Sequence, residues 1–275
     1  MYILIIIVII LLFIVYLICP NLHITNTVIP FYNRTDNMFP KIKNGYEITI
    51  LCCSGLSNRI RTILGFLEVC NYYNKKLNVI WIEDNTCNGN FLDYFKPINN
   101  VNFINKNKNK KVDYQGQNTI ENICSNYNIG FDKKRLYCNI KPVDEIENKI
   151  QKYIKNYDIQ NIIGIHVRRT DYTGNIIGKI LNGSNSDQEF FEYIEKYSNK
   201  NFFIATDNKE TQDLYINKYK ERVLFYSKIK NTTSLRQTSL ENAVIDIYIL
   251  SYNKRIKGTY NSSFTEFARY LKKSR

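Results

Sequence analysis

The sequence of 275 residues is poor in histidine, with only two, and it contains no Cys-x-x-Cys pair. Because no histidine accompanies the cysteines, a zinc site is not expected. The net charge of +13 permits nucleic acid, an anionic membrane or phosphorylated substrates as partners. However, the sequence also lacks a basic helix and an aromatic–basic RNA motif, so nucleic acid is not predicted as a partner.

Charged residues are absent from Tyr2 to Cys19, where nearly every side chain is Ile, Leu, Val or Phe. Eighteen helical residues span about 27 Å, close to the thickness of a bilayer core. A cleaved signal peptide is the alternative, but the basic leader and the small-residue cleavage site are missing. We therefore predict an anchor at 1–19 that makes a single-pass, type II membrane protein, followed by a proline-punctuated stem at 20–44.

Two further features fit a location of the remaining chain in the lumen of the endoplasmic reticulum or Golgi. Four Asn-x-Ser/Thr sequons begin at Asn33, Asn182, Asn231 and Asn261. Six of the seven cysteines lie outside the anchor, and this even number permits disulfides. Cys52 and Cys70 are alternatively buried thiols.

Strand and helix patterns alternate along the rest of the chain, which predicts a parallel α/β sheet. Residues 48–53 and 77–82 form apolar runs typical of strands, and Ser57 is a candidate cap for the helix between them. No clear period is present at 99–134, and a helix is predicted at 143–157. The further predicted strands are 162–167, 201–205, 222–226 and 254–259. The further predicted helices are 186–197, where Ser186 and Glu189 form a capping box, 208–219, 239–252 and 264–272.

Polar side chains follow the predicted strands of the second half, where open α/β sheets bind their ligands. These residues are His166, Arg168, Asp207, Ser262 and Ser263. Two adjacent arginines suit a diphosphate, and strand alternation predicts that one faces the ligand while the other braces the site, with Asp171 as its candidate partner. The alternatives are a surface charge cluster at the arginines and a helix N-cap at Asp207.

A turn of small residues joins the first strand to its helix in the sequence Ser54-Gly55-Leu56-Ser57-Asn58-Arg59. Backbone N–H groups at such a turn can bind an anion or a sugar. Gly55 and Asn58 are therefore candidates for the sugar or acceptor side of a site. Alternatively, Asn58 belongs only to the first turn of the helix.

Four motifs in order give a resemblance to a known family. They are HVRRTDY at 166–172, ATDN at 205–208, SLENAVIDIYILS at 239–251 and TYNSSFTEFA at 259–268. In order and spacing they resemble the fucosyltransferase superfamily. HVRRTD with the two later motifs is most similar to the α-1,6 branch and its nodulation relatives, whereas Tyr172 resembles the α-1,2 branch. The GLSNR turn is similar to one in the α-1,2 and protein O-fucosyltransferase branches.

This resemblance implies a glycosyltransferase-B type fold of two Rossmann-like halves, which we place at 45–157 (acceptor) and 158–275 (nucleotide sugar). GDP-fucose would be the donor, a glycan or glycoprotein the acceptor, and no metal would be needed, in agreement with the absence of an Asp-x-Asp motif. His166 and Asp246 would bind the guanosine, and Arg168, Ser262 and Ser263 the β-phosphate. Arg168 and Arg169 are the candidate catalytic residues, and Arg169 and Asp171 would order the site. A solvated face of its helix is the alternative for Asp246.

The sequence departs from the α-1,6 pattern after RRTD. Tyr172 and Ile176 occupy the positions where that branch has a lysine and the glutamate proposed as its base. Asp187 or Glu189 is a substitute candidate, or the acceptor needs no strong base. A transferase for another nucleotide sugar and an inactive sugar-binding descendant therefore stay open as alternatives. Asn261 is expected to be unmodified, because a glycan there would block the nucleotide site.

Overall fold

A computed structural model describes residues 39–42, 45–104, 111–169, 186–230, 232 and 236–273. The predicted anchor, most of the predicted stem, three of the four sequons and Asp171 lie outside these ranges. Within them, no helix is long and apolar enough to cross a bilayer. The described residues belong to one compact unit, 38–275. The anchor and the domain boundaries stay predictions.

A parallel sheet of four strands forms in the first half of the described chain, with the order β3-β2-β1-β4. Its strands are β1 (Glu47–Cys52), β2 (Lys76–Trp81), β3 (Val101–Ile104) and β4 (Tyr114–Gly116). Five of the six residues of β1 are buried, as expected for a strand whose two faces are both covered. The predicted strands at 48–53 and 77–82 are thus confirmed to within a residue or two.

Helix α1 (Leu56–Tyr72) follows β1, but its first turn differs from the prediction. Gly55, not Ser57, is the N-cap residue, and Ser57 is buried in the first turn. The Gly55 carbonyl accepts hydrogen bonds from the backbone N–H groups of Asn58 and Arg59, at 3.0 and 3.1 Å. The prediction of Ser57 as the cap was therefore wrong by two residues.

The region 99–134, where the sequence shows no period, contains four short elements. They are β3, β4, α2 (Ile120–Asn126) and α3 (Lys133–Tyr137). β4 has three residues and α3 has five, so neither is long enough to show a periodic pattern. The predicted helix at 143–157 is confirmed as α4 (Asp144–Tyr157).

A second parallel sheet of four strands follows in the described part of the chain, with the order β7-β6-β5-β8. Its strands are β5 (Ile163–Val167), β6 (Phe202–Thr206), β7 (Val223–Leu224) and β8 (Arg255–Gly258). The helices of this half are α5 (Asp187–Lys196), α6 (Lys209–Tyr219), α7 (Leu240–Tyr252) and α8 (Ser263–Lys273). The predicted α/β architecture with parallel strands is confirmed.

One hydrophobic core extends across helices of both halves, from α1 through α4 to α7 and α8. Polar contacts reinforce this packing: the Tyr248 hydroxyl donates to the Ile140 carbonyl at 2.5 Å, and Lys133 forms ion pairs with Glu121 and Glu266. Helices α7 and α8, which belong to the second half, are thus packed firmly against the first half.

The six cysteines beyond the predicted anchor are free thiols. Cys52, Cys70, Cys87 and Cys124 are buried, which confirms the buried-thiol alternative for the first two. Burial raises the pKa of the Cys70 thiol to about 12, so this thiol stays protonated at neutral pH.

Candidate functional site

The ends of β5 and β8 are tied together by hydrogen bonds at the residues that follow them. The Thr259 backbone N–H donates to the His166 carbonyl at 3.0 Å, and the Arg168 backbone N–H donates to the Thr259 hydroxyl, also at 3.0 Å. These bonds hold the backbone of Arg168 in place directly after β5. Its side chain is half-buried at the mouth of the sheet.

Arg169 is held by contacts with two neighbouring elements at the mouth of β5. The residue is buried, and its guanidinium forms an ion pair with Asp187 at the start of α5 and lies over the Phe190 ring. Its backbone N–H donates to the Asp207 carboxylate at 3.1 Å. The structure therefore gives Arg169 a partner in Asp187, while Asp171, its predicted partner, lies outside the described residues.

Asp207 links the mouths of β5 and β6. The N-cap of α6 is Asn208, whose side-chain oxygen accepts a hydrogen bond from the Thr211 backbone N–H at 2.8 Å. The alternative in which Asp207 is only a helix cap is thus wrong. Its carboxylate instead accepts the backbone N–H of Arg169, which aligns the two strand ends.

His166 is buried among polar groups of α8. Its Nδ1 lies 2.9 Å from the Thr265 hydroxyl and 3.5 Å from the Ser262 hydroxyl, and its ring stacks on Phe264 with 4.4 Å between centroids. Burial, together with the charges of Arg168, Arg236 and Arg169, lowers the pKa of His166 to about 3. The imidazole is therefore neutral at physiological pH and acts as a hydrogen-bonding group, not as a cation.

Ser262 and Ser263 lie where α8 begins, and both are buried. Asn261 adopts a left-handed conformation with φ of 52°, which turns the chain into the helix. Gly258 has no room for a side chain because Thr265 of α8 packs directly against it. The N-terminus of this helix of 11 residues is thus held next to His166, where its backbone N–H groups suit an anion.

Asp246 lies in the wall of a small recess and is buried, so the alternative of a solvated helix face is wrong. Burial raises the pKa of its carboxyl well above the usual range, which favours the protonated form. The Thr206 hydroxyl lines the same recess and is buried with no hydrogen-bond partner among the described residues. The remaining lining residues are Ile204, Gln212, Phe225, Tyr226, Ser227 and Ile229.

The turn after β1 is held by a fully buried arginine, Arg59. Its guanidinium donates to the Ser54 carbonyl at 2.5 Å, to the Ile82 carbonyl, and to the Asp84 carboxylate at 2.6 Å. Ser54 has a positive φ of 77°, and the Asn58 side-chain amide donates to its hydroxyl at 3.0 Å. Asn58 therefore stabilises the turn itself, and its predicted role at the sugar or acceptor side stays a prediction.

Two site features were missed by sequence reasoning. Thr206 precedes Asp207 in the ATDN motif, and that position at a strand end was the available clue. Arg236 lies before α7, and its guanidinium contacts Gly55 in the first half of the chain. A lone arginine in a loop carries no sequence pattern, so only the fold identifies it.

The two candidate bases, Asp187 and Glu189, each form an ion pair with a basic side chain. Asp187 is paired with Arg169, and Glu189 accepts from Lys257 at 2.5 Å. In the described part of the chain, no three His, Cys, Asp or Glu side chains cluster as a metal site would require.

Comparison with known proteins identifies similar folds. The sequence matches no family model and no curated protein. NodZ α-1,6-fucosyltransferase of Bradyrhizobium, in a structure soaked with GDP-fucose, is 15% identical with a TM-score of 0.56, over 82% of this chain and 92% of that chain. POFUT1 in complex with GDP is 12% identical with a TM-score of 0.53, over 84% and 95%. A variant of Arabidopsis thaliana FUT1 in complex with GDP is 12% identical with a TM-score of 0.53, over 85% and 70%.

These likenesses agree with the resemblance in the four motifs. At such low identities they establish the fold, and the fold of this chain is the one found in these fucosyltransferases.

Proposed function

We propose that the protein is a glycosyltransferase that transfers fucose from GDP-fucose to a glycan or glycoprotein acceptor, with inversion and without a metal. The fold supports the proposal, because NodZ with GDP-fucose and POFUT1 with GDP share it. The observation that carries it is the recess lined by both the buried carboxyl of Asp246 and the hydroxyl of Thr206, which has no hydrogen-bond partner among the described residues.

Buried polar groups without partners are costly, so this recess suits a ligand with complementary polar groups. The edge of guanine carries adjacent N–H donors, and a carboxylate accepts hydrogen bonds through both oxygens. Phe225 and Tyr226 supply an aromatic wall beside Asp246. We therefore propose that Asp246, with Phe225 and Tyr226 beside it, lies on the guanine side of the nucleotide, with His166 on the side of the ribose.

The diphosphate is assigned to the mouth of β5. Arg168 supplies a planar guanidinium that can contact two phosphate oxygens at once. The N-terminus of α8, at Ser262 and Ser263, adds backbone donors and a favourable dipole. Arg169 and Asp207 position this mouth: the Arg169 backbone N–H donates to the Asp207 carboxylate, and the Arg169 guanidinium pairs with Asp187.

The reaction breaks the bond between the fucose anomeric carbon and the β-phosphate oxygen. The acceptor hydroxyl oxygen forms the new bond to that carbon, its proton passes to a base, and GDP leaves with the electron pair. Negative charge on the β-phosphate grows as the bond breaks, so Arg168 stabilises the transition state more than the bound donor. A fixed guanidinium would in this way replace the divalent metal of other transferases.

We also propose that residues 1–19 anchor the enzyme in the membrane with its catalytic part in the secretory lumen. The support is the uncharged segment from Tyr2 to Cys19. Alkaline carbonate extraction should leave the protein in the membrane fraction. Recovery of a soluble chain that begins near residue 20 would instead identify a cleaved signal peptide.

The function is tested with the full chain in detergent and a panel of GDP, UDP, CMP and ATP in a thermal-shift assay. Selective stabilisation by GDP is expected, because a ligand that binds only the folded state raises the melting temperature. GDP-fucose and an acceptor library then report transfer as GDP release. Stabilisation by UDP alone would favour another nucleotide sugar, and GDP binding without transfer to any acceptor would favour an inactive descendant.

A further inference from the structure

Arg236 lies outside the motifs considered so far, yet its backbone is fixed beside the site. The neighbouring Gln237 is bonded to the end of β6: its backbone N–H donates to the Asp207 carbonyl at 3.3 Å, and its side-chain oxygen accepts from the Lys209 backbone N–H at 2.7 Å. The backbone of Arg236 therefore lies at the mouth of the second sheet, in the half to which we assign the nucleotide.

Its guanidinium ends against the other half of the chain. A methyl group added at Gly55 would lie 2.9 Å from Nη2 and 3.3 Å from Cζ of Arg236. Gly55 has φ of −69° and ψ of 163°, a conformation open to any residue. The absence of a side chain at position 55 is thus explained by the close approach of Arg236, and not by the backbone angles of Gly55.

The charge of Arg236 acts on both sides of this contact. Burial is the main cause of the lowered pKa of His166, and Arg236 adds to the effect. Burial raises the pKa of Cys87, and Arg236 opposes that rise. Arg236 therefore lies between the His166 side of the mouth and the loop that follows β2.

We propose that Arg236 is a second phosphate-binding arginine beside Arg168, which contacts the diphosphate of the nucleotide from the side of the Gly55 turn. This inference rests on the proposed function and extends it to a residue from a different loop. Two guanidiniums, Arg168 after β5 and Arg236 before α7, then flank a diphosphate that carries at least two negative charges. Contact with Gly55 places Arg236 where the two halves meet, so donor binding and the acceptor half are connected through one side chain.

The test compares affinities for GDP, GMP, guanosine and UDP by isothermal titration calorimetry, with the full chain in detergent. Arg236→Ala should weaken GDP binding by about 10-fold to 100-fold, the usual effect of losing hydrogen bonds to a charged group. Guanosine binding should change less than about 2-fold, because guanosine has no phosphate. Arg269→Ala is the matched control: Arg269 is exposed on α8 and donates to the Ile256 carbonyl, so GDP binding should not change.

A second variant, Gly55→Ala, tests the contact without removing a charge. The added methyl displaces the flexible end of Arg236, so GDP affinity should fall in the parent, while in an Arg236→Ala background the same substitution should have no further effect. Equal loss of GDP and guanosine in Arg236→Ala would show a purely structural role and overturn the proposal, as would unchanged GDP affinity. If the parent binds UDP and not GDP, the guanine assignment fails. The phosphate-binding role of Arg236 is then tested with UDP: weaker UDP binding in Arg236→Ala supports that role, and unchanged UDP binding overturns it.

Discussion

The guanidinium of Arg169 forms an ion pair with the carboxylate of Asp187, at the first turn of α5. This pair joins the mouth of β5 to the start of helix α5. The two adjacent arginines also have different environments: Arg169 is buried and paired with Asp187, whereas Arg168 is half-buried beside Thr259. Neighbouring residues of the same type therefore have different expected roles.

We predict that Arg168→Lys abolishes transfer while the fold is retained. Lysine keeps the charge but loses the planar fork that contacts two phosphate oxygens. Loss of one well-placed donor to developing charge costs roughly 10²–10³ in kcat. GDP release with GDP-fucose and an acceptor library measures the rate, and circular dichroism checks the fold.

Arg169→Lys is the matched variant. It should lower the melting temperature more than Arg168→Lys does, because Arg169 is buried against Phe190 and Asp187. Its effect on kcat should be the smaller of the two. If the lysine at 169 stops catalysis and the lysine at 168 works within a few-fold of the parent, the assignment of the two arginines is reversed.

A second prediction concerns the protonation of His166, whose pKa is lowered from 6.5 to about 3 by burial and by the nearby arginines. Between these values the unfolded chain binds a proton that the folded chain does not. The free energy of unfolding should therefore fall as pH drops below about 6.5, by at most ~1.4 kcal/mol per pH unit from this residue. Urea unfolding at several pH values measures this slope.

The control for that slope is His166→Gln, which keeps a polar side chain but cannot take up the proton. Its stability should depend less on pH between 4 and 6.5 than that of the parent. NMR provides an independent check, because the chain has only two histidines. A His166 ring signal that titrates near pH 6.5 in the folded protein would contradict the prediction.

Most strands and long helices could be predicted from the sequence, because their apolar residues repeat with a regular period. The strand at β5 and the helices α4 and α7 show this, since each buries an apolar face or run. The position of His166 and Arg168 at a strand end then followed from chain order alone. Asp246 was identified only through the family motif around it.

The remaining features depend on contacts between distant residues. Gly55, and not Ser57, is the N-cap residue of α1, because Arg59 donates to the Ser54 carbonyl and fixes the turn two residues before the predicted position. The contact between Arg236 and Gly55 joins residues far apart in the chain, and no local pattern encodes it. The two strands in 99–134 are too short to show a period, so their pairing specifies them: β4 pairs with β1 and β3 with β2.

A third prediction is that turnover survives chelation. Arg168 is expected to stabilise the leaving phosphate, so a divalent cation is not required in the proposed mechanism. The rate of GDP release should be unchanged within about 2-fold after dialysis against EDTA. Loss of activity on chelation with recovery on addition of Mn²⁺ would contradict metal independence.

The last prediction uses Asp246, because burial raises the pKa of its carboxyl well above the usual range. The N–H donors of guanine favour the ionised carboxylate, so GDP binding should release a proton. GDP affinity should therefore rise with pH through the pKa of Asp246 in the free protein and level off above it. Calorimetry in two buffers of different ionisation enthalpy measures the proton released. Asp246→Asn, which keeps the size but cannot ionise, should bind GDP more weakly and without this pH dependence; an unchanged pH profile would place guanine elsewhere.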